Sequence, residues 1–172
     1  TLAEFGNWPW PRDRMALLFE RIAEAKPAVV AVDILLAGNS GGAVADARLA
    51  TALARNPTVL ATVLDPELGT ATMPSVALAV SGPVAVPGML KMPGLVPPAQ
   101  TLHAQAKGLG VISLPAPEGQ PVRSVLLLSG GGKALLAGLG VETLRVAAGG
   151  GPLIASAPPQ MLRIGDIALP LP

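Results

Sequence analysis

The chain has 172 residues, of which 51% are hydrophobic and 13% are charged. This length and apolar content suffice for the core of one domain, and they exclude a disordered charged tail. The net charge of +1 excludes the broad basic surface that nucleic acid or an anionic membrane would attract. With no cysteine and with His103 as the single histidine, the sequence predicts neither a metal site nor a cofactor.

The first predicted helix covers residues 11–25. Pro11 suits the first turn of a helix, and Pro27 ends the helical pattern. An apolar stripe at a spacing of three and four residues predicts the face that is turned to the core: Met15, Leu18, Phe19 and Ile22.

The first predicted strand covers residues 28–36, an apolar run interrupted only by Asp33. Such a run is typical of a central strand that is covered on both faces. A glycine-rich loop at 38–42 leads to a second predicted helix at 44–55, and a second apolar run follows at 58–64. This order of strand, helix and strand predicts parallel strands joined by a right-handed crossover.

The middle of the chain is interrupted by prolines. Its charge-free stretch at 68–90 contains three of them, which predicts buried strands and loops and argues against a membrane-spanning helix. A short strand is predicted at 84–86 and a short helix at 98–107.

The last third of the chain favours antiparallel pairing. Two predicted strands, 109–114 and 122–128, flank a proline-rich turn and predict a hairpin. A third helix is predicted at 133–148, and a tight hairpin at 161–169. Taken together, the elements predict a single α/β domain with a central mixed sheet flanked by helices and with C-terminal antiparallel hairpins.

The start of the chain carries a family resemblance. The run from Gly6 to Arg12, GNWPWPR, precedes the first helix and a strand that contains Asp33. It resembles the CHASE2 family of extracytoplasmic sensor domains, whose members carry a Trp-Pro-Trp-Pro-Arg element, a helix and then a strand with an Asp near its end. Asp46 and Leu49 are similar to the family's Asp-x-x-Leu opening of the next helix.

Two later segments extend this resemblance over nearly the whole chain. Residues 110–123 are similar to the family's Gly-x-x-Asn and Asp-Gly-x-x-Arg segment, with Glu118 in place of the Asp and one additional residue before Arg123. Residues 162–170 are similar to the family's late Ile-Gly and Ile-Pro hairpin.

The resemblance implies a role in signalling. Residues 1–172 would be one sensor domain of a longer membrane-anchored protein, on the periplasmic or extracellular side of the bacterial inner membrane. This part would not be an enzyme. It would pass a small-molecule or environmental stimulus to a cytoplasmic adenylate or guanylate cyclase, a histidine kinase or a serine/threonine kinase.

The expected partners follow from the same resemblance. Only segments that flank this chain would contact the membrane. No nucleic acid is expected as a partner, and a homodimer is a possible assembly. A purely structural dimerisation module is the alternative function.

Three charged residues are the candidates for ligand binding: Arg12, Asp33 and Arg123. A carboxylate in an apolar strand is costly without a partner, and a bidentate arginine would supply one. Arg12 is the first candidate for that partner and Arg123 its rival. Because open α/β sheets bind ligands at the carboxyl ends of their strands, Asp33 is also well placed for a ligand. The sequence favours the structural alternative, an ion pair that holds the first helix to the sheet.

The aromatic element Trp8, Pro9, Trp10 and Pro11 is predicted to be structural. The two rings would fix the start of the helix against the core, since each buries roughly 150–250 Å². A surface on which a ligand stacks is the alternative.

A hydrolase is the least favoured interpretation. Residues 38–42 match the G-x-S-x-G pattern of a nucleophile elbow, and Ser40, Asp65 and His103 follow the chain order of a triad. The predicted strand ends several residues before Ser40, however, which predicts a loose loop and not a strained elbow. We therefore expect no catalytic residue in this chain.

Overall fold

A computed structural model describes residues 4, 6–38, 41–67, 78–81, 90–114, 119, 121–131, 134–156 and 160–171. The helices within these ranges are α1 (Arg12–Glu24), α2 (Gly42–Leu53), α3 (Gln100–His103) and α4 (Leu139–Ala147). The strands are β1 (Val30–Val32), β2 (Thr58–Asp65), β3 (Leu78–Ser81), β4 (Lys91–Met92), β5 (Gly94–Val96), β6 (Gly108–Val111), β7 (Leu128–Gly131), β8 (Ala134–Ala137), β9 (Leu153–Ser156), β10 (Met161–Ile164) and β11 (Ile167–Pro170). In the part of the chain so described, no helix is both long and apolar enough to cross a bilayer.

The central sheet is built around β2, whose residues are nearly all buried. β1 pairs with it in parallel, with Val30 opposite Thr58, and β6 pairs in parallel, with Val59 opposite Gly108. β5 runs antiparallel along the C-terminal half of β2. The predicted mixed sheet and the predicted parallel βαβ unit are therefore confirmed.

The first strand is shorter than predicted. Only residues 30–32 of the predicted 28–36 form it, and among the described strands it pairs with β2 alone. Ala31 is exposed, so the prediction of a strand covered on both faces is wrong. An apolar run shows that a segment is hydrophobic, but it does not show how many neighbours the strand has.

The helices α1 and α2 pack on this sheet as the sequence predicts, at 11–25 and 44–55. Met15 and Phe19 of α1, together with Leu49 and Leu53 of α2, contribute to the largest group of buried apolar residues. Leu18 does not belong to the buried face, because 41% of it is exposed. Ala16 and Arg12 are buried on that face instead. An apolar stripe cannot predict the burial of an arginine.

The prediction that 109–114 and 122–128 form a hairpin is wrong. β6 pairs in parallel with β2, whereas β7 begins only at Leu128 and pairs antiparallel with β8 and parallel with β4. The helix predicted at 133–148 begins later, at Leu139, because residues 134–137 form β8. An Ala-Leu-Leu-Ala run suits a buried strand as well as a helix. Gly138 separates the two elements, and a Cβ there would overlap the carbonyl oxygen of Leu126.

The C-terminal hairpin is confirmed. β10 and β11 pair antiparallel about Gly165, whose φ of 56° suits glycine. β9 pairs antiparallel with β10 and parallel with β3. Leu153, Leu162 and Ile164 of this sheet pack with Val141 of α4 in a second group of buried residues. The predicted α/β class is thus confirmed, and the short helix at 98–107 is present as α3. The predicted strand at 84–86 lies outside the described residues.

Candidate functional site

A cleft of about 470 Å³ opens where two strands of the central sheet end. Asp33 follows the last residue of β1, and Val111–Leu114 lead out of β6 at the same edge. Helix α4, residues 125–127 and Leu169 of β11 complete the described walls. The carboxyl ends of strands are the usual ligand-binding edge of open α/β sheets, and the cleft lies at that edge.

The chemistry of the cleft is apolar with one acidic group. Its lining residues are Asp33, Val111, Ile112, Ser113, Leu114, Val125, Leu126, Leu127, Leu139, Gly140, Val141, Leu144 and Leu169. Ser113 uses its hydroxyl oxygen to accept a hydrogen bond from the backbone N–H of Leu64, at 2.8 Å. Asp33 is the only ionisable side chain among the described residues of the lining. A pocket with mostly apolar walls and few polar groups is typical of small-molecule sites.

The Asp33 carboxylate is exposed, and no ion pair or hydrogen bond joins it to any side chain that the structure describes. The expected pairing of Asp33 with Arg12 is therefore wrong. Because β1 stops at Val32, the next residue already faces solvent at the mouth of the cleft, and water provides the solvation that a buried strand would have denied.

Arg12 is paired with Asp46 instead. Its Nε lies 3.3 Å from Oδ1 of Asp46, an ion pair without the alignment of a hydrogen bond, and both side chains are buried. Its Nη2 donates to the carbonyl oxygens of Ala37 at 3.2 Å and Gly38 at 3.3 Å. One guanidinium group thereby connects the first turn of α1, the first half of α2 and the loop after β1.

The aromatic element lies against the same region. Trp10 packs on the first buried cluster, and its Nε1 donates to the carbonyl oxygen of Gly6 at 3.1 Å. The rings of Trp8 and Trp10 meet edge to face with their centroids 5.9 Å apart, but 53% of Trp8 is exposed. A cavity of about 110 Å³ lies between the two rings, Arg12 and residues 34–37.

The three residues predicted to bind a ligand are not brought to one cavity. Asp33 lines the cleft, Arg12 lines the small cavity beside the tryptophans, and Arg123 is exposed on the segment 121–126. That segment leads directly into the wall of the cleft at Val125. Of the three, Asp33 is the one that lines the cleft.

A buried ion pair behind the cleft was not foreseen. Arg145 donates from Nε and Nη2 to the two carboxylate oxygens of Glu142, at 2.8 and 2.7 Å. It also donates to the carbonyl oxygens of Gly150 at 2.7 Å and Lys107 at 3.2 Å. The hydrogen bond to Glu142 raises the pKa of Arg145 above its ordinary value. A Cβ at Gly108 would overlap the Glu142 carboxylate, so glycine is the residue that fits at the start of β6.

This pair holds one wall of the cleft in place. On α4, Glu142 lies between the lining residues Val141 and Leu144, and Arg145 follows Leu144 directly. The arginine fixes the helix to the residue before β6 and to the loop after the helix. The Glu-x-x-Arg spacing, followed by three glycines, was the available signal in the sequence.

The hydrolase interpretation gains no support here. Ser40 lies outside the described residues. Asp65 accepts a hydrogen bond from the backbone of Glu67 at 2.7 Å, and His103 is half-buried on α3, where burial lowers its pKa. Within the described ranges, no three acidic or histidine side chains are grouped as a metal ion would need.

Comparison with known families gives one match. A family model described as CHASE2 domain matches residues 1–171, the whole chain except its last residue. Comparison with curated proteins and with solved structures gives no match.

Proposed function

Because the chain belongs to the CHASE2 family of sensory domains of signalling receptors, we propose that it is the extracytoplasmic sensor of a bacterial transmembrane receptor. In this proposal the domain passes its stimulus to a cytoplasmic cyclase or kinase. The family match over residues 1–171 carries the proposal.

The cleft is our candidate for the place where the stimulus acts. Asp33 would contact the ligand directly, whereas Arg123 would stay on the exposed segment beside the cleft, outside its lining. Arg12 would act from behind, since it holds the loop that follows Asp33 through the carbonyl oxygens of Ala37 and Gly38.

The composition of the cleft walls suggests how a signal would travel. Val141, Leu144 and Leu169 belong to the second group of packed apolar residues, whereas Asp33 follows a strand of the central sheet. A ligand that binds more tightly when these walls are close would shift the population toward a closed form. β11 carries Leu169 and lies at one edge of its sheet among the described strands, so the shift would move that edge.

A labelling experiment tests the extracytoplasmic location. Since the chain has no cysteine, Val44→Cys in the intact receptor introduces a reactive group at a position that is 87% exposed. We expect a membrane-impermeant maleimide to label it in cells whose inner membrane is intact. The receptor with Val44 unchanged gives the background, and buried Leu49→Cys should react only after denaturation. Labelling of Val44→Cys only after lysis would contradict the proposal.

A second experiment tests transmission. Gly140 lines the cleft, and no atom lies within 4 Å of a Cβ built there, so Gly140→Trp would fill the cleft as a substitute ligand. We expect the cyclic-nucleotide or phosphoryl output of the intact receptor to differ from that of Gly140→Ala. Equal outputs would contradict a role of the cleft in signalling.

A dimerisation module is the second candidate. It is supported by two neighbouring leucines on α1, Leu17 and Leu18, which are both exposed on one helix. Sedimentation of the chain and of Leu17→Glu would test it, since a dimer formed by this face should dissociate in the variant. The presence of a cleft with an acidic residue at its mouth favours the sensor over a purely structural role.

A further inference from the structure

Resting on the proposed sensory function, we infer that the cleft binds an amphipathic organic cation, a small molecule with an apolar body and a protonated amine. The amine is placed at Asp33 and the apolar body between α4 and residues 111–114. The volume, the lining and the charge of the cleft together indicate this class of ligand.

The volume of about 470 Å³ is in the range of small-molecule sites, which extends over roughly 300–1,000 Å³. The apolar walls would bury the body of the ligand, and removing its apolar surface from water favours binding. Leu114 and Val125 line the cleft although they are exposed to solvent, so part of the wall is unpartnered apolar surface.

The charge selects a cation. Among the described residues that line the cleft, Asp33 is the only ionisable one, and no lysine or arginine is present there to neutralise it. A ligand ammonium group would complete an ion pair beside apolar walls, where the local dielectric is lower than in water. A carboxylate ligand would meet Asp33 as a like charge, and a neutral ligand would leave it without a partner.

Asp33 differs from three acidic residues of the described helices, which all have an ionic partner. Asp46 and Glu142 are buried in ion pairs, and Glu24 is paired with Arg21 at 2.8 Å. The carboxylate at the cleft is the one that combines an open position, an apolar cavity and the lack of a described partner.

The test compares three probes that share one apolar body: 2-phenylethylamine, 2-phenylethanol and 3-phenylpropionate. Binding to the 172-residue chain is followed by NMR, with the methyl groups of Val141 and Leu144 as reporters in the cleft and those of Leu49 as a remote control. We expect the amine to bind about three- to tenfold more tightly than the alcohol and the carboxylate to bind most weakly. Because the ion pair is partly exposed, added salt should reduce the preference for the amine.

Two variants make the test specific. Asp33→Asn should lower the affinity for the amine to that of the alcohol and leave the alcohol unchanged, whereas Asp166→Asn, an exposed aspartate that does not line the cleft, should change neither. Leu114→Lys places a positive charge in the lining, so it should weaken binding of the amine and strengthen binding of the carboxylate. This variant tests the proposal even if Asp33→Asn fails to fold.

Each of three results would overturn the inference: equal affinities for the amine and the alcohol, tightest binding of the carboxylate, or no perturbation of the Val141 and Leu144 methyl groups by any probe. None of these results affects the surface labelling of Val44→Cys, so failure of this inference and failure of the proposed function are distinguishable.

Discussion

Arg145 and Glu142 share one turn of α4 and form a two-bond ion pair, with N–O distances of 2.8 and 2.7 Å and with Glu142 fully buried. On α1, Arg21 and Glu24 have the same separation of three residues, yet both side chains are mostly exposed. The chain thus contains the same pair of residue types at the same spacing in two environments.

The first prediction uses this contrast. Glu142→Ala leaves the Arg145 guanidinium buried without its counter-charge, and we expect the free energy of unfolding to fall by about 3–5 kcal/mol. Glu24→Ala removes an exposed pair and should cost no more than about 0.5 kcal/mol. Urea unfolding of the two variants checks the difference, and similar midpoints would contradict the structural role of the buried pair.

The second prediction concerns the shape of the Arg12 guanidinium. Arg12→Lys keeps the charge near Asp46 but loses the hydrogen bonds to Ala37 and Gly38, so unfolding should become easier by about 1–3 kcal/mol. Arg48→Lys is the matched control, because Arg48 makes only a partly exposed contact with Glu20 at 3.9 Å, and it should change stability by less than about 0.5 kcal/mol. Equal stability of the two lysine variants would show that only the charge of Arg12 matters.

The third prediction compares two glycines. Gly108→Ala brings a methyl group against the Glu142 carboxylate and should destabilise the domain by about 1–3 kcal/mol. Gly140→Ala lies in the first turn of α4 with open space around its Cβ, and it should be neutral or should stabilise by up to about 1 kcal/mol. Thermal unfolding of both variants gives the comparison, and a stable Gly108→Ala would contradict the close approach of β6 to α4.

The fourth prediction concerns pH. Burial lowers the pKa of His103 below its ordinary value of 6.5, so the unfolded chain binds a proton more readily than the folded chain. Stability from this group is present above about pH 6.5 and is lost as the pH falls from there toward the lower folded pKa. In His103→Gln this dependence should disappear. Urea unfolding at pH 7.5 and 5.5 measures it, and an unchanged slope in the variant would assign the pH dependence to other groups.

The elements that were predicted correctly are those with strong local signals. α1 has an apolar stripe preceded by Pro11, and the last hairpin turns at Gly165 and Asp166, which favour a tight turn. The burial of Leu18 was predicted wrongly because Arg12 occupies part of the inner face of α1. A local pattern shows which residues are apolar. It does not show that Arg12 is buried and takes part of the inner face of α1.

The ion pairs could not be predicted because their partners depend on tertiary structure. Asp33 is the best candidate partner for Arg12 only if its strand is covered on both faces, because a buried carboxylate needs a counter-charge. Asp46 is 34 positions from Arg12, and the local sequence pattern predicts only that it lies on the surface of a helix. Likewise, the spacing of Glu142 and Arg145 does not distinguish them from Arg21 and Glu24, since β6 and the loop at 150–151 decide which pair is buried.

The position of Arg12 also has a consequence for receptor engineering. Its guanidinium joins three stretches of chain that come from both sides of β1, so the first turn of α1, residues 37–38 and the first half of α2 act as one module. A chimera that exchanges sensory domains should therefore place its junctions outside this module. A crossover between α1 and α2 would combine an arginine from one parent with the loop and carboxylate of another, and it would fold only where both parents supply the same three partners.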